Sequence, residues 1–352
     1  MTAREFDIGN AIFFFFKRFG DKPAAAIWII VCQMLIGGAL AAAAIWLLFP
    51  FWGSIFEIAV LEETSSITEA EAGVMLLESL GPAMAYYALL GPLALVFALM
   101  FQGAWLRFLV RGEVAPVIPF RLGSDEFRLL GVNILYIVVS FGLVLAGILA
   151  VALVGGFSIG IVETTGADGA GALGALLTVA LVFAVILAGV FVMVHLASAA
   201  GLSFQDRRFR FFESWGATKG VFWPMLLSLI VVAVMAGLIG STIGGVFQMI
   251  GVFALLPVIE PLVEMAEYGS EPTAQEVLSL LRSQLAQPGT IILLTVVGVM
   301  AYAVQIVVEA MIHSVGAYNA VRFRGGDDAG GAVEAAPVLG SDSPLGAAPS
   351  EG

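Results

Sequence analysis

The chain has 352 residues, 60% of them hydrophobic and only 12% charged, with a mean hydropathy of +1.03 and a formal net charge of −12. Soluble domains carry about a quarter charged residues, so this is the composition of a membrane protein. A single cysteine, Cys32, rules out an intrachain disulfide.

The leader over residues 6–23 reads as a helix lying in a membrane surface. Ile8, Ile12, Phe15, Phe16 and Phe19 share one helical stripe, while Asp7, Asn10, Lys17 and Arg18 lie elsewhere. Phe13 and Phe14 spoil an otherwise clean apolar face. The small residues Ala41 to Ala44 resemble a cleavage site. The apolar run around them is longer than a signal core, and Asp7 and Asp21 sit in the leader, so an uncleaved first span is expected.

Six apolar runs follow, at residues 24–49, 83–106, 129–155, 172–203, 222–245 and 290–322. Each supplies the roughly 20 residues that a spanning helix needs. Only Glu309, His195 and His313 interrupt their interiors with an acidic, basic or imidazole group. The stretch 220–259 is uncharged throughout, too long for one ordinary span. It predicts a break near Gly240–Gly245, with 248–257 as a re-entrant or interfacial piece. Glycines such as Gly237, Gly240 and Gly244, and those between 166 and 174, offer small surfaces for close helix packing.

The basic residues set the orientation. Every Lys and Arg except Arg282 falls before span one, between spans two and three, between four and five, or at the end of six. The positive-inside rule then places both termini in the cytoplasm. The opposite loops are acidic, with Glu57, Glu62, Glu63, Glu69, Glu71 and Glu78 in the first. These carboxylates lack calcium-loop spacing and read as a solvated face. Residues 325–352 are mostly Gly, Ala, Pro and Ser and read as a disordered cytoplasmic tail, leaving 1–324 as the membrane domain.

A pattern recurs three times. Segments 6–23, 120–130 and 207–224 are aromatic and basic, and each leads into an odd-numbered span. Ser124 can cap a helix whose first turn holds Asp125 and Glu126, at the positive end of the dipole. Pro23 and Pro224 occupy equivalent positions, where a surface helix would stop and a spanning one start. The expected fold is therefore all-α: a polytopic membrane helical bundle of six transmembrane helices in three pseudo-repeated hairpins, each preceded by a cytoplasmic interfacial helix. The interfacial basic residues Lys17, Arg18, Arg121, Arg128, Arg207, Arg208, Arg210 and Lys219 would favour anionic lipids at the cytoplasmic face. Because they track that face, nucleic-acid binding is unsupported.

Three segments carry a resemblance to a known family: Phe6-Asp-Ile-Gly-Asn-Ala-Ile12, Glu213-Ser-Trp-Gly-Ala-Thr-Lys-Gly-Val-Phe-Trp223 and Gly316-Ala-Tyr-Asn-Ala-Val-Arg322. Across residues 5–324 the chain resembles the six-helix bacterial membrane domain found alone or fused to some glycerophosphodiester phosphodiesterases. That family's catalytic barrel is a separate soluble domain, which this chain does not encode, so no catalytic residue carries over. The resemblance implies a stand-alone protein of the bacterial inner membrane, with a poorly defined role.

Glu309 and His313 lie four residues apart and project from one face of span six. Counting back from Arg322 puts them about 20 Å and about 13 Å inside the cytoplasmic end. His195 falls at a comparable depth in span four, and Arg107 could reach toward them from span two. One reading is a structural Glu–His or Glu–Arg pair that locks helices together; another is a proton relay or solute site. Metal binding lacks a fourth ligand and a His-Glu-x-x-His motif. No cofactor fingerprint is present. Gly156-Phe-Ser158-Ile-Gly160 formally matches a nucleophile elbow, but Ser158 and His313 belong to opposite halves of a bilayer about 30 Å thick, too far apart for a nucleophile and its base. The leading expectation is a non-enzymatic accessory or regulatory envelope protein with a membrane-protein partner. The alternatives are a transporter or lipid-handling permease using Glu309, His313 and His195, and an intramembrane hydrolase.

Overall fold

A computed structural model describes residues 5–63, 66–115, 117–165, 168–267 and 273–325. Among these there is no strand. The helices are α1 (Ile8–Asp21), α2 (Pro23–Glu63), α3 (Glu69–Leu106), α4 (Ser124–Thr165), α5 (Asp168–Leu196), α6 (Ala199–Gln205), α7 (Glu213–Thr218), α8 (Phe222–Glu267), α9 (Ala274–Leu285) and α10 (Pro288–Phe323), with a π-helical turn at Arg107–Arg111 extending α3. Six of them, α2, α3, α4, α5, α8 and α10, are long and apolar enough to cross a membrane. The 41 residues of α2 run for about 60 Å, roughly twice the hydrocarbon thickness, so the long helices project beyond the bilayer core.

Local chemistry sets several helix starts. Asp7 accepts from the Asn10 amide at 2.8 Å and caps α1. Thr68 with Glu71, and Thr273 with Glu276, form reciprocal capping boxes at α3 and α9. Pro288 sits in the first turn of α10, where its missing N–H costs nothing.

The expected break in the long uncharged stretch does not occur. Helix α8 runs unbroken for 46 residues, with Pro257 and Pro261 inside it. Apolar side chains offer no alternative partners to a broken backbone, and a continuous helix satisfies its N–H and C=O groups internally. Nor do Gly237, Gly240 and Gly244 mediate close packing, because a Cβ at any of them would meet nothing within 4 Å. Residues 166 and 167, and the side chains up to residue 171, lie outside the described part, as does the tail from residue 326.

The segments before the odd spans differ from one another. Residues 120–130 contain no helix of their own: an irregular stretch runs to Gly123, and Ser124 opens α4 itself. Asp125 and Glu126 nucleate the spanning helix directly, while the Glu126 carboxylate takes the Gly123 amide at 2.9 Å. Before α8 there is only the six-residue α7. Helix α1 packs against α8 and α10, with Ala11, Phe14 and Phe15 buried. Phe14, off the expected stripe, is the residue that inserts: its ring meets Tyr318 at 5.5 Å, and Phe15 meets Trp105 at 6.0 Å. Phe13 and Phe16 remain exposed.

The most extensive helix packing joins α2 to α3, α4 to α5 and α8 to α10. The dense core gathers at one end of the bundle, around Trp105, Phe108, Ile306, Met311 and Tyr318, all at most 2% exposed. Its neighbour, built on Leu106, Leu129, Leu196 and Phe204, joins α3, α4, α5 and α6.

Candidate functional site

Basic residues from four separate stretches of chain meet at that end. Lys22 donates to the Gly112 carbonyl at 2.7 Å. Arg111 binds Asp125 at 2.9 Å and also donates to the Phe204 carbonyl. Arg324 pairs with Asp206, which also accepts from Arg210 at 3.1 Å. Arg322 donates to Asn319 at 3.0 Å and to the Ala217 carbonyl at 3.1 Å, while Asn319 donates to Ser198 at 2.8 Å.

The interfacial residues expected from sequence divide into two groups. Lys17, Arg121, Arg207, Arg208 and Lys219 are exposed. Arg18, Arg128 and Arg210 are half-buried. Arg18 lies over the Phe14 ring at 5.3 Å, and burial lowers its pKa against the raising influence of Asp21. Arg128 pairs with Asp125. Arg210 bonds Glu213 at 2.6 Å, which holds that carboxyl below the ordinary glutamate range.

Arg107 does not reach toward Glu309. It forms a buried ion pair with Glu126, their side chains 4% and 1% exposed, and donates to the Pro119 carbonyl at 3.3 Å. Arg107, at the end of α3, thus meets the start of α4, where Glu126 lies in the first turn and gains from the helix dipole.

His195 and His313 occupy a similar level, because Ala197 and Gly316 touch, but they face different neighbours. The His195 ring is stacked on Trp215 at 4.2 Å and on Phe222 at 5.1 Å, with Nδ1 2.9 Å from the Phe191 carbonyl. Ser214 donates to the His195 carbonyl at 2.7 Å, tying α7 to the end of α5. His195 is therefore an aromatic packing element of that corner.

Glu309 and His313 do pair, with Nε2 and Oε1 4.0 Å apart and side chains 39% and 27% exposed. Behind them lies a polar contact that sequence reasoning missed. Gln33 of α2, 2% exposed, accepts from the Trp105 indole at 3.0 Å, and its side chain also interacts with Glu309 and Tyr302. The Tyr302 hydroxyl comes close to the α2 backbone because position 37 is glycine: a Cβ there would overlap it. A lone glutamine in an apolar run was the available signal. Gln305, one turn before Glu309, is exposed, so Gln305, Glu309 and His313 form one polar stripe along α10.

Among the described residues no group of three His, Cys, Asp or Glu side chains could hold a metal ion. The Ser158 side chain lies outside the described part. Its backbone stands about 50 Å along α4 from Ser124, whereas His313 is about 15 Å from the end of α10 at Phe323. No protein family matches the chain, and neither does any curated protein or solved structure.

Proposed function

We propose that this chain is a non-enzymatic protein of a bacterial inner membrane, with both termini in the cytoplasm, that docks a partner transmembrane helix along α10. The carrying observation is the stripe Gln305, Glu309 and His313, half exposed on a mostly apolar helix. Polar and ionisable groups facing hydrocarbon are costly, and a partner helix offering its own polar groups removes that cost. Gln33, Trp105 and Tyr302 brace the stripe from behind. The kinship with the membrane domain of glycerophosphodiester phosphodiesterases rests on the three short segments quoted above. At the basic end, the exposed Lys17, Arg121, Arg207, Arg208 and Lys219 would meet anionic lipid headgroups.

A photo-crosslinking residue at position 305, in native membranes, tests the docking. The expected result is a discrete adduct lost in Glu309→Leu, with none from position 292, which is exposed on the same helix. Adducts at both positions, or survival in Glu309→Leu, would overturn it. A cysteine at 305 in a Cys32→Ser background addresses transport. Labelling by a membrane-impermeant maleimide would mean that water reaches the stripe and would favour the permease reading.

A further inference from the structure

We infer that the basic end contains a binding pocket for the phosphate of an anionic lipid headgroup, set between the π turn, the start of α4 and the connection before α7. The inference deepens the reading of that end as a membrane surface. The pocket is a cavity of about 460 Å³ whose wall includes Arg111, Arg121, Arg128 and Arg207. Three carboxylates, Glu113, Asp125 and Glu126, also line it.

The charges do not cancel. Glu126 is taken by Arg107, which stands outside the cavity wall, and it also accepts from the Gly123 amide. Asp125 is shared between Arg111 and Arg128. Glu113 lies 3.9 Å from Arg111 and 3.6 Å from Arg207, at the loose limit of an ion pair. Arg121 makes no ion pair among the described residues and is exposed at the rim. With Glu126 neutralised by Arg107 from outside the wall, four lining guanidinium groups face two remaining carboxylates, an excess matching a phosphate monoester.

One further feature points to an anion. Ser124 and Asp125 belong to the first turn of the 42-residue α4, whose N–H groups and dipole favour negative charge. The rim explains why the phosphate would belong to a lipid. Leu122 and Phe127 flank the arginines and are 53% and 64% exposed, and Phe209, two residues beyond Arg207, is 44% exposed. Apolar side chains bordering a guanidinium cluster suit the boundary between headgroups and acyl chains.

The test uses the full-length protein in detergent and a fluorescent short-chain phosphatidic acid. Saturable binding is expected, at least about tenfold tighter than for the matching phosphatidylcholine. Arg121→Gln and Arg207→Gln should each weaken it by about tenfold, the scale of one charge-assisted bond. Arg208→Gln, exposed beside the pocket and outside its wall, should leave binding within about twofold. Displacement by inorganic phosphate at millimolar concentration would support a phosphate pocket while assigning it to a soluble ligand. Equal loss in all three variants would overturn the pocket and leave only diffuse attraction between the basic end and anionic lipid. Equal affinity for the two lipids would overturn both.

Discussion

Gly316 and Ala197 meet through their backbones: a Cβ on Gly316 would overlap the Ala197 carbonyl oxygen and lie 3.1 Å from its carbon. The contact is mutual with the next turn, since a Cβ on Gly201 would come within 3.2 Å of the Ala317 Cα and the Gly316 carbonyl. This close crossing seats α10 in the elbow between α5 and α6 and lets Asn319 reach Ser198. Gly316→Ala should therefore destabilise the protein by about 1–3 kcal/mol, through forced separation of two backbones. Gly298→Ala, on the same helix with nothing within 4 Å, is the control and should be neutral or slightly stabilising. Thermal unfolding of both variants in one detergent separates the two effects, and equal melting temperatures would contradict the contact.

The pair Arg107 and Glu126 ties the end of α3 to the start of α4 in a site with almost no exposure. Removing one partner leaves a buried charge, so Arg107→Met should cost about 3–5 kcal/mol. Replacing both, as Arg107→Met with Glu126→Leu, should recover most of that loss, because the desolvation of both ions is relieved together. A double variant as unstable as the single one would show that Glu126 acts mainly through the Gly123 amide.

Those two contacts mark what the sequence could and could not reveal. The six long helices were legible because an uncharged run of more than 20 residues has few other solutions. The gathering of basic residues at one end followed from their spacing in the chain. What escaped notice were the partners, which depend on azimuth and on distant segments. Arg107 points to Glu126 rather than Glu309, a pairing with the start of the next helix that spacing within α3 does not reveal. Phe14, which disturbed the apolar stripe of α1, is buried because Tyr318 lies above it. The glycines that permit close approach, Gly37 and Gly316, resemble in sequence those of α8 that touch nothing.

Gln33 supplies a third expectation. Its side-chain oxygen accepts the Trp105 indole N–H at 3.0 Å, in a buried setting. Gln33→Leu strands that donor and should cost about 1–3 kcal/mol, whereas Trp105→Phe on the same background removes the donor and should cost little beyond lost packing. Tryptophan phosphorescence or fluorescence, compared with Trp105→Phe alone, reports whether the indole environment changes. An unchanged spectrum and stability in Gln33→Leu would mean that the hydrogen bond carries no weight.

The capping box of α9 gives the clearest pH dependence outside the spanning helices. The Glu276 carboxylate accepts from the Thr273 amide at 3.0 Å and from its hydroxyl at 2.8 Å. These bonds, the backbone one first, hold the Glu276 pKa below its ordinary value. A carboxyl with a depressed folded pKa stabilises the helix fully above its unfolded value, about 4.3. That stabilisation is lost as pH falls through the lower, folded value. The first turn of α9, where Val277 N–H bonds the Thr273 carbonyl at 3.0 Å, should then fray. Amide exchange at Val277 should lose protection below about pH 4, after correction for intrinsic rates. Glu276→Gln keeps an uncharged acceptor at the same place and should flatten the profile. If the wild type and Glu276→Gln lose protection in parallel, the fraying has another cause and the carboxylate is not what starts α9.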